Sequence, residues 1–284
     1  MQLLTVIGPI LFAVFLWWFT TGLVIAVYGR SPRLVRLCFG GATVALLAAL
    51  WGLVATRPFT QPPHIYLAFS CGLVIWGWQT ASYYLGYVTG PQGKDTAIKQ
   101  PPQDDLVYRF RHAFRAGLYH ELLVLAFALL LIALTWSHAN QWGLWIFLAM
   151  WLMHSSAKLN VFLGVRNFRM ELLPPHLHAL DGLLGKQPSN FFFPISVMVA
   201  SIVSLFLFYQ AIIPRTTPSQ AIGYLLVSTM IGLGVIEHLL LVLPIPATLY
   251  GWGIRPLPPT AVAETMSAPT NAPLRAMPKQ MIEG

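Results

Sequence analysis

The sequence predicts an all-α integral membrane protein built as a bundle of about seven transmembrane helices. Seven long apolar stretches account for more than half of the 284 residues, and about 20 residues at about 1.5 Å each cross a hydrocarbon core about 30 Å thick. Composition agrees, because 56% of the residues are hydrophobic and 9% are charged, against about 25% charged in a soluble domain. The predicted spans are roughly 3–28, 37–56, 65–88, 117–136, 141–165, 191–213 and 221–250.

Local features support these spans in order. No basic residue precedes Arg30 and no small-residue cleavage site follows the first span, so we interpret it as an uncleaved helix rather than a secretion signal. Spans two, three and six are uncharged. Before span four, segment 103–116 alternates apolar residues with arginines, which predicts an amphipathic helix at the cytoplasmic interface. The short turn 137–140 makes spans four and five an antiparallel hairpin, and Pro244 and Pro246 predict a kink in span seven.

The distribution of Lys and Arg predicts the orientation. Fourteen basic residues follow the odd-numbered spans, whereas only Arg57 and Arg215 lie on the other side. Because short cytoplasmic loops are enriched in Lys and Arg, the N-terminus is predicted outside and the C-terminus in the cytoplasm. The transmembrane domain is therefore 1–253, followed by a Pro- and Ala-rich cytoplasmic tail, 254–284, that is predicted to be disordered.

The charge and the cysteines argue against nucleic-acid binding, a structural disulfide and a cysteine-based zinc site. A basic cytoplasmic rim beside anionic lipid explains the isoelectric point near 9.7, so the bilayer is a predicted partner and nucleic acid is not. The only cysteines, Cys38 and Cys71, lie toward opposite membrane faces, which disfavours a disulfide between them. Their separation in the sequence also does not match a zinc-binding motif.

A few ionisable residues lie at membrane depth, where a charged group costs about 2.5–3.5 kcal/mol. Counted from the outer ends of their helices, His120, His154 and Glu237 lie about 20–24 Å below the outer surface, in one layer. The whole set is Tyr119, His120 and Glu121 in span four, His154 and Lys158 in span five, and Glu237 and His238 in span seven.

This set carries an imbalance of charge. His154 and Lys158 are four residues apart and share a helix face, but one lysine neutralises only one of the two glutamates. The other carboxylate must be protonated, paired with an imidazolium or bound to a cation. If helix five continues past the membrane, Asn160, Asn167 and Glu171 line one stripe beneath the layer.

Three interpretations of the layer remain open, with solute or ion transport as a fourth. The first is hydrogen bonding between helices that fixes their packing without any ligand. The second is a metal site, and the third is a tetrapyrrole held by an axial histidine. The candidate metal ligands are His120, Glu121, His154, His176, Glu237 and His238, with Glu171 as a further oxygen donor.

Several motifs resemble one family. The run 156–167, SAKLNVFLGVRN, is similar to the photosynthetic complex assembly protein 2 family, PuhE, of purple phototrophic bacteria. The other motifs that carry this resemblance are ELLP at 171–174 with His176, NFFFPISV at 190–197, and Glu237-His238 followed by LVLPIP at 241–246. The resemblance covers the membrane region but not the tail.

The resemblance implies a multi-pass protein of the bacterial inner or intracytoplasmic membrane. It implies a role in assembling the photosynthetic apparatus or supplying bacteriochlorophyll, with reaction-centre or light-harvesting subunits and other assembly or pigment-synthesis proteins as partners. No catalytic motif is recognisable, so we expect a non-catalytic assembly factor; the alternative is an integral-membrane metalloenzyme acting on a tetrapyrrole or lipid. The candidate pigment or ligand-binding residues are His154, Lys158, Asn160, Asn167, Glu171, Glu237 and His238.

The depth count also makes a geometric prediction. We expect Lys158 to reach a carboxylate inside the bundle, with Glu237 preferred over Glu121. The residues predicted to converge are Glu237, His238, His154 and Lys158, with either His120 or Glu121.

Overall fold

The computed structural model describes residues 3–27, 30–89, 105–168 and 175–243, and these residues form an all-α protein without strands. The predicted fold class is confirmed. The helices are α1 (Leu3–Val27), α2 (Pro32–Thr56), α3 (Pro62–Leu85), α4 (Leu106–Thr135), α5 (Trp142–Leu163), α6 (Phe192–Ile212) and α7 (Pro218–Leu240), with a 3-10 helix (Pro175–Leu183) between α5 and α6.

Six of the seven helices are long and apolar enough to cross a membrane. The exception is α3, which at 24 residues has the length to cross a bilayer but carries more polar side chains, including the buried Gln79 and Ser82. It lies at the centre of the bundle, where it contacts α2, α4, α5 and α7. The neighbouring helices therefore shield its polar groups from lipid.

The fourth helix is longer than predicted. It runs without a break for 30 residues, about 45 Å, so the described part of the amphipathic segment forms its first turns and is not a separate helix. The Asp105 side chain caps it by accepting a hydrogen bond from the Tyr108 N–H at 2.8 Å. Arg109 Nε donates to the Leu183 carbonyl oxygen at 2.9 Å, which fixes the start of α4 against the 3-10 helix.

Close contacts between small residues hold the helices together. A Cβ atom added to Gly72 on α3 would lie 2.1 Å from the Gly143 carbonyl oxygen on α5, so these backbones touch directly. Between α6 and α7, Ser204 and Ser228 each donate to the other's carbonyl oxygen, at 2.9 and 2.8 Å. Interfaces of this kind are typical of helix association in membranes, where hydrophobic burial between helices is weak.

The last helix ends before the predicted seventh span does. Helix α7 ends at Leu240, with turn residues as far as Leu243. The predicted kink at Pro244 and Pro246, the tail 254–284 and positions 103–104 of the amphipathic segment lie outside the described residues.

Cysteine labelling tests the predicted orientation. In a background without Cys38 and Cys71, Thr60→Cys and Ser189→Cys place exposed thiols in loops at opposite ends of the bundle. A membrane-impermeant maleimide added to intact cells should label position 60 and leave position 189 unlabelled until the membrane is opened, because the basic loops are predicted to face the cytoplasm. Labelling of position 189 alone in intact cells would show that the topology is the opposite of the predicted one.

Candidate functional site

The predicted polar layer is divided between opposite faces of α5. Residues two apart on a helix point in nearly opposite directions, so His154 and Lys158 face α4, whereas Ser156 and Asn160 face α6 and α7. The prediction that Glu237 and His238 converge with His154 and Lys158 is therefore wrong. The expectation that Lys158 reaches a carboxylate is confirmed. The polar groups form an inner cluster at α3, α4 and α5, a hydrogen-bonded network at α5, α6 and α7, and a separate contact between α1 and α7.

The ion pair of the inner cluster joins α5 to α4. Lys158 Nζ lies 2.6 Å from Glu121 Oε1, and the Trp151 indole N–H donates to Glu121 Oε2 at 3.1 Å. The ammonium also lies 5.4 Å from the centre of the Tyr83 ring, within the range of a cation–π contact. The choice of Glu237 as the partner of Lys158 is wrong, because the face of α5 that carries Lys158 turns toward α4.

Two histidines and a glutamine form the polar centre of the inner cluster. The ring centroids of His120 and His154 are 6.2 Å apart; Tyr83 packs on His120 at 4.9 Å and Trp76 on His154 at 5.4 Å. Gln79 lies between Trp76 and Tyr83 on the same face of α3 and is 0% exposed.

Several buried polar atoms of this centre have no hydrogen-bond partner among the described residues. They are both nitrogens of His120, Nε2 of His154 and both amide atoms of Gln79, whereas buried polar groups in proteins are nearly always paired. Sequence analysis missed Gln79, which carries no charge. The one sequence feature that could have marked this residue is its position between two aromatic residues at helical spacing in an uncharged span.

His238 belongs to the network on the opposite face of α5. It is 3% exposed, and its Nδ1 lies 2.8 Å from the Gly234 carbonyl oxygen. A carbonyl only accepts, so Nδ1 carries the proton, and in the neutral ring Nε2 accepts from the Ser156 hydroxyl at 3.0 Å. Both nitrogens are thus engaged, and this arrangement fits the packing interpretation of the layer for His238.

Asparagines continue the network toward the end of α5. Asn160 Nδ2 donates to the Ser196 hydroxyl at 2.9 Å, and Asn190 Nδ2 donates to the carbonyl oxygens of Asn160 and Gly164 at 3.1 and 2.9 Å. Asn167 Nδ2 donates to the Leu240 carbonyl oxygen at 3.0 Å. Asn160, Asn167 and Asn190, which belong to the motifs at 156–167 and 190–197, therefore connect α5 to α6 and α7.

Removal of the Asn190 side chain should destabilise the protein. Asn190 Oδ1 also accepts from the backbone N–H groups of Phe192 and Phe193 at 3.0 Å, so Asn190→Ala loses a helix cap together with two hydrogen bonds to α5. We expect a loss of about 2–3 kcal/mol in the free energy of unfolding, measured by denaturation in mixed micelles. The adjacent exposed Ser189→Ala is the control, and equal stability of the two variants would contradict the prediction.

Glu237 stands apart from both clusters. Its Oε1 accepts a hydrogen bond from the Trp17 indole N–H at 2.7 Å, which joins α7 to α1, and its side chain is exposed. Within the described part of the chain, Glu237 is therefore the glutamate of the predicted layer that has no cationic partner. Trp17 was not identified from the sequence as a partner, because only the packing of α1 on α7 brings it there.

The predicted metal ligands are dispersed. Among the described residues, no group of three His, Cys, Asp or Glu side chains lies close enough to hold a metal ion. His120 and His154 are neighbours, whereas His238 lies on the other side of α5. The side chains of Glu171 and His176 fall outside the described part of the chain.

Comparison with known proteins gives a relative and a family. The chain is 28% identical over 246 residues to a Rhodobacter capsulatus protein, covering 84% of this chain and 87% of the relative, which is named an uncharacterized 30.4 kDa protein in the puhA 5′ region. No solved structure matches. A model of the DUF3623 family, described as a protein of unknown function, matches residues 3–260. A match over nearly the whole membrane region shows that this chain belongs to the DUF3623 family.

Proposed function

We propose that this protein is an inner-membrane assembly factor for the photosynthetic reaction-centre and light-harvesting apparatus, and that it handles or supplies bacteriochlorophyll. The observation that carries the proposal is the relative named for its position in the puhA 5′ region, which is consistent with a protein of a photosynthesis gene cluster. The resemblance of the motifs at 156–167 and 190–197 to the PuhE family supports the same role.

The inner cluster supports the part of the proposal that concerns pigment. The magnesium of a bacteriochlorophyll takes a neutral imidazole nitrogen as axial ligand, and that nitrogen must have a free lone pair. His120 and His154 have nitrogens without hydrogen-bond partners, whereas both nitrogens of His238 are engaged. We therefore propose His154 and His120, rather than His238, as the ligand candidates, with Lys158 and Glu121 positioning the cluster.

Genetic replacement tests the assembly role. The relative's gene is deleted in Rhodobacter capsulatus, and the deletion is complemented with this chain. Under phototrophic growth, the deletion should lower the assembled reaction-centre and light-harvesting complexes per cell, and the chain should restore them while the puhA transcript level stays constant. Unchanged complexes and pigment in the deletion strain would refute the proposal.

A metalloenzyme is the second candidate, favoured by the same pair of rings. Two neutral imidazoles with centroids 6.2 Å apart are a plausible start of a site for a nitrogen-preferring metal such as zinc or iron. Elemental analysis and an absorption spectrum of protein purified from its native membrane separate the two candidates. Stoichiometric metal lost in His120→Ala and His154→Ala favours the enzyme, whereas bound tetrapyrrole without such a metal favours the assembly factor.

A further inference from the structure

We propose that the face of α1 and α7 around Glu237 binds a transmembrane helix of another protein, and that this helix brings a Lys or Arg side chain to the Glu237 carboxylate. The inference goes beyond the proposed function and holds whichever cargo the protein handles. It rests on the depth, the exposure and the incomplete pairing of one carboxylate.

Glu237 lies at membrane depth. Its hydrogen-bond donor, Trp17, is 14 residues from the start of α1 at Leu3 and 10 from its end at Val27, or about 21 and 15 Å along the helix. In α7 itself, Glu237 is three residues, about 4.5 Å, before the helix ends at Leu240. The carboxylate therefore extends from the last turn of α7 to the middle of α1, a helix long and apolar enough to cross a membrane.

Glu237 also faces outward. Its side chain and that of the preceding Ile236 are exposed, Ile236 by 50%, whereas eleven of the 23 residues of α7 are buried. Within the described ranges, the Trp17 indole is the only hydrogen-bond partner of Glu237, and it contacts one of the two carboxylate oxygens. A charged group that faces lipid without a partner is unfavourable.

Among the described residues, no Lys or Arg pairs with Glu237, so a cation for this carboxylate would come from outside the bundle. Lys158 is committed to Glu121 at α4, and it is the only Lys or Arg in the seven predicted spans. Exposed apolar side chains lie on the same two helices: Val14, one turn before Trp17 on α1, is exposed like Ile236 on α7. An apolar helix with one cationic side chain at the depth of Glu237 complements both features, because opposite charges pair strongly where water is excluded.

A defined peptide pair tests this surface. Full-length protein is reconstituted in phosphatidylcholine vesicles with a labelled helix of about 20 leucines that carries one arginine at the depth of Glu237, or with its all-leucine counterpart. Energy transfer measures binding. We expect the arginine peptide to bind at least about tenfold more tightly, which corresponds to about 1.4 kcal/mol.

Two substitutions separate charge from packing. Glu237→Gln should abolish the preference for arginine, whereas Trp17→Phe should keep or strengthen it, because the carboxylate then loses its internal donor. Equal binding of the two peptides by the unaltered protein overturns the inference, and this comparison requires no variant to fold. Equal binding of the two peptides would also result if the protein's own tail or a second copy of the protein occupied this face. A preference that persists in Glu237→Gln overturns the inference as well.

Discussion

Replacement of Lys158 by methionine should lower the free energy of unfolding by about 3 kcal/mol. Methionine keeps most of the side-chain volume but leaves the Glu121 carboxylate, which is 28% exposed, without its cation. Removal of one partner from a buried ion pair typically costs about 3–5 kcal/mol, and the remaining Trp151 donor reduces that cost. Reversible denaturation in mixed micelles measures the loss.

A double variant shows whether the loss arises from the unpaired charge. Glu121→Gln retains the shape of the carboxylate and can still accept from Trp151, so Lys158→Met combined with Glu121→Gln leaves no isolated charge. We expect the double variant to be more stable than Lys158→Met alone, with a coupling energy above about 1 kcal/mol. Strictly additive losses would mean that the two side chains stabilise the bundle independently of each other.

The helices of this protein could be predicted from sequence because a bilayer imposes a simple rule on every span. Length and apolarity therefore identified all seven helices, including α3, whose polar residues lower its hydropathy. The ends were less predictable. Nothing between Leu106 and Gly117 breaks the helix, and the Asp105 cap starts α4 eleven residues before the predicted span.

The level of the two central histidines was predictable, but the direction of the side chains was not. Counting along the spans put His120 and His154 at one level, where their ring centroids are 6.2 Å apart, and the spacing of four correctly put His154 and Lys158 on one face of α5. Which neighbour that face meets depends on the rotation of α5 in the bundle, and hydropathy does not specify rotation for a helix that is apolar on all sides. The choice between Glu121 and Glu237 therefore required the structure.

Neutral partners were missed for a related reason. Gln79 and Trp17 carry no charge, and uncharged polar residues are frequent enough in membrane helices that neither marks a site by itself. They became informative only through their surroundings: Gln79 is buried between two aromatic residues without a hydrogen bond, and Trp17 donates to a carboxylate on a distant helix.

The contact that positions the inner cluster should be the least tolerant of substitution. Gly72 precedes Trp76, Gln79 and Tyr83 by 4, 7 and 11 residues, so all four lie on one face of α3. A Cβ atom at Gly72 would lie 2.1 Å from the Gly143 carbonyl oxygen and 2.6 Å from Ile146 Cγ2. The first neighbour is backbone, so α3 and α5 must separate to accommodate even one methyl group.

We therefore expect Gly72→Ala to destabilise the protein by about 3 kcal/mol or more, at the upper end of the usual cost of overpacking. Gly77 is the matched control on the same helix, because a Cβ atom there meets nothing within 4 Å, and Gly77→Ala should be neutral or stabilising by up to about 1 kcal/mol. Denaturation of both variants in the same micelles gives the comparison. Equal stabilities would mean that α3 and α5 do not approach as closely as the Gly72–Gly143 contact requires, and the enclosed position of Gln79, His120 and His154 would then lose its structural basis.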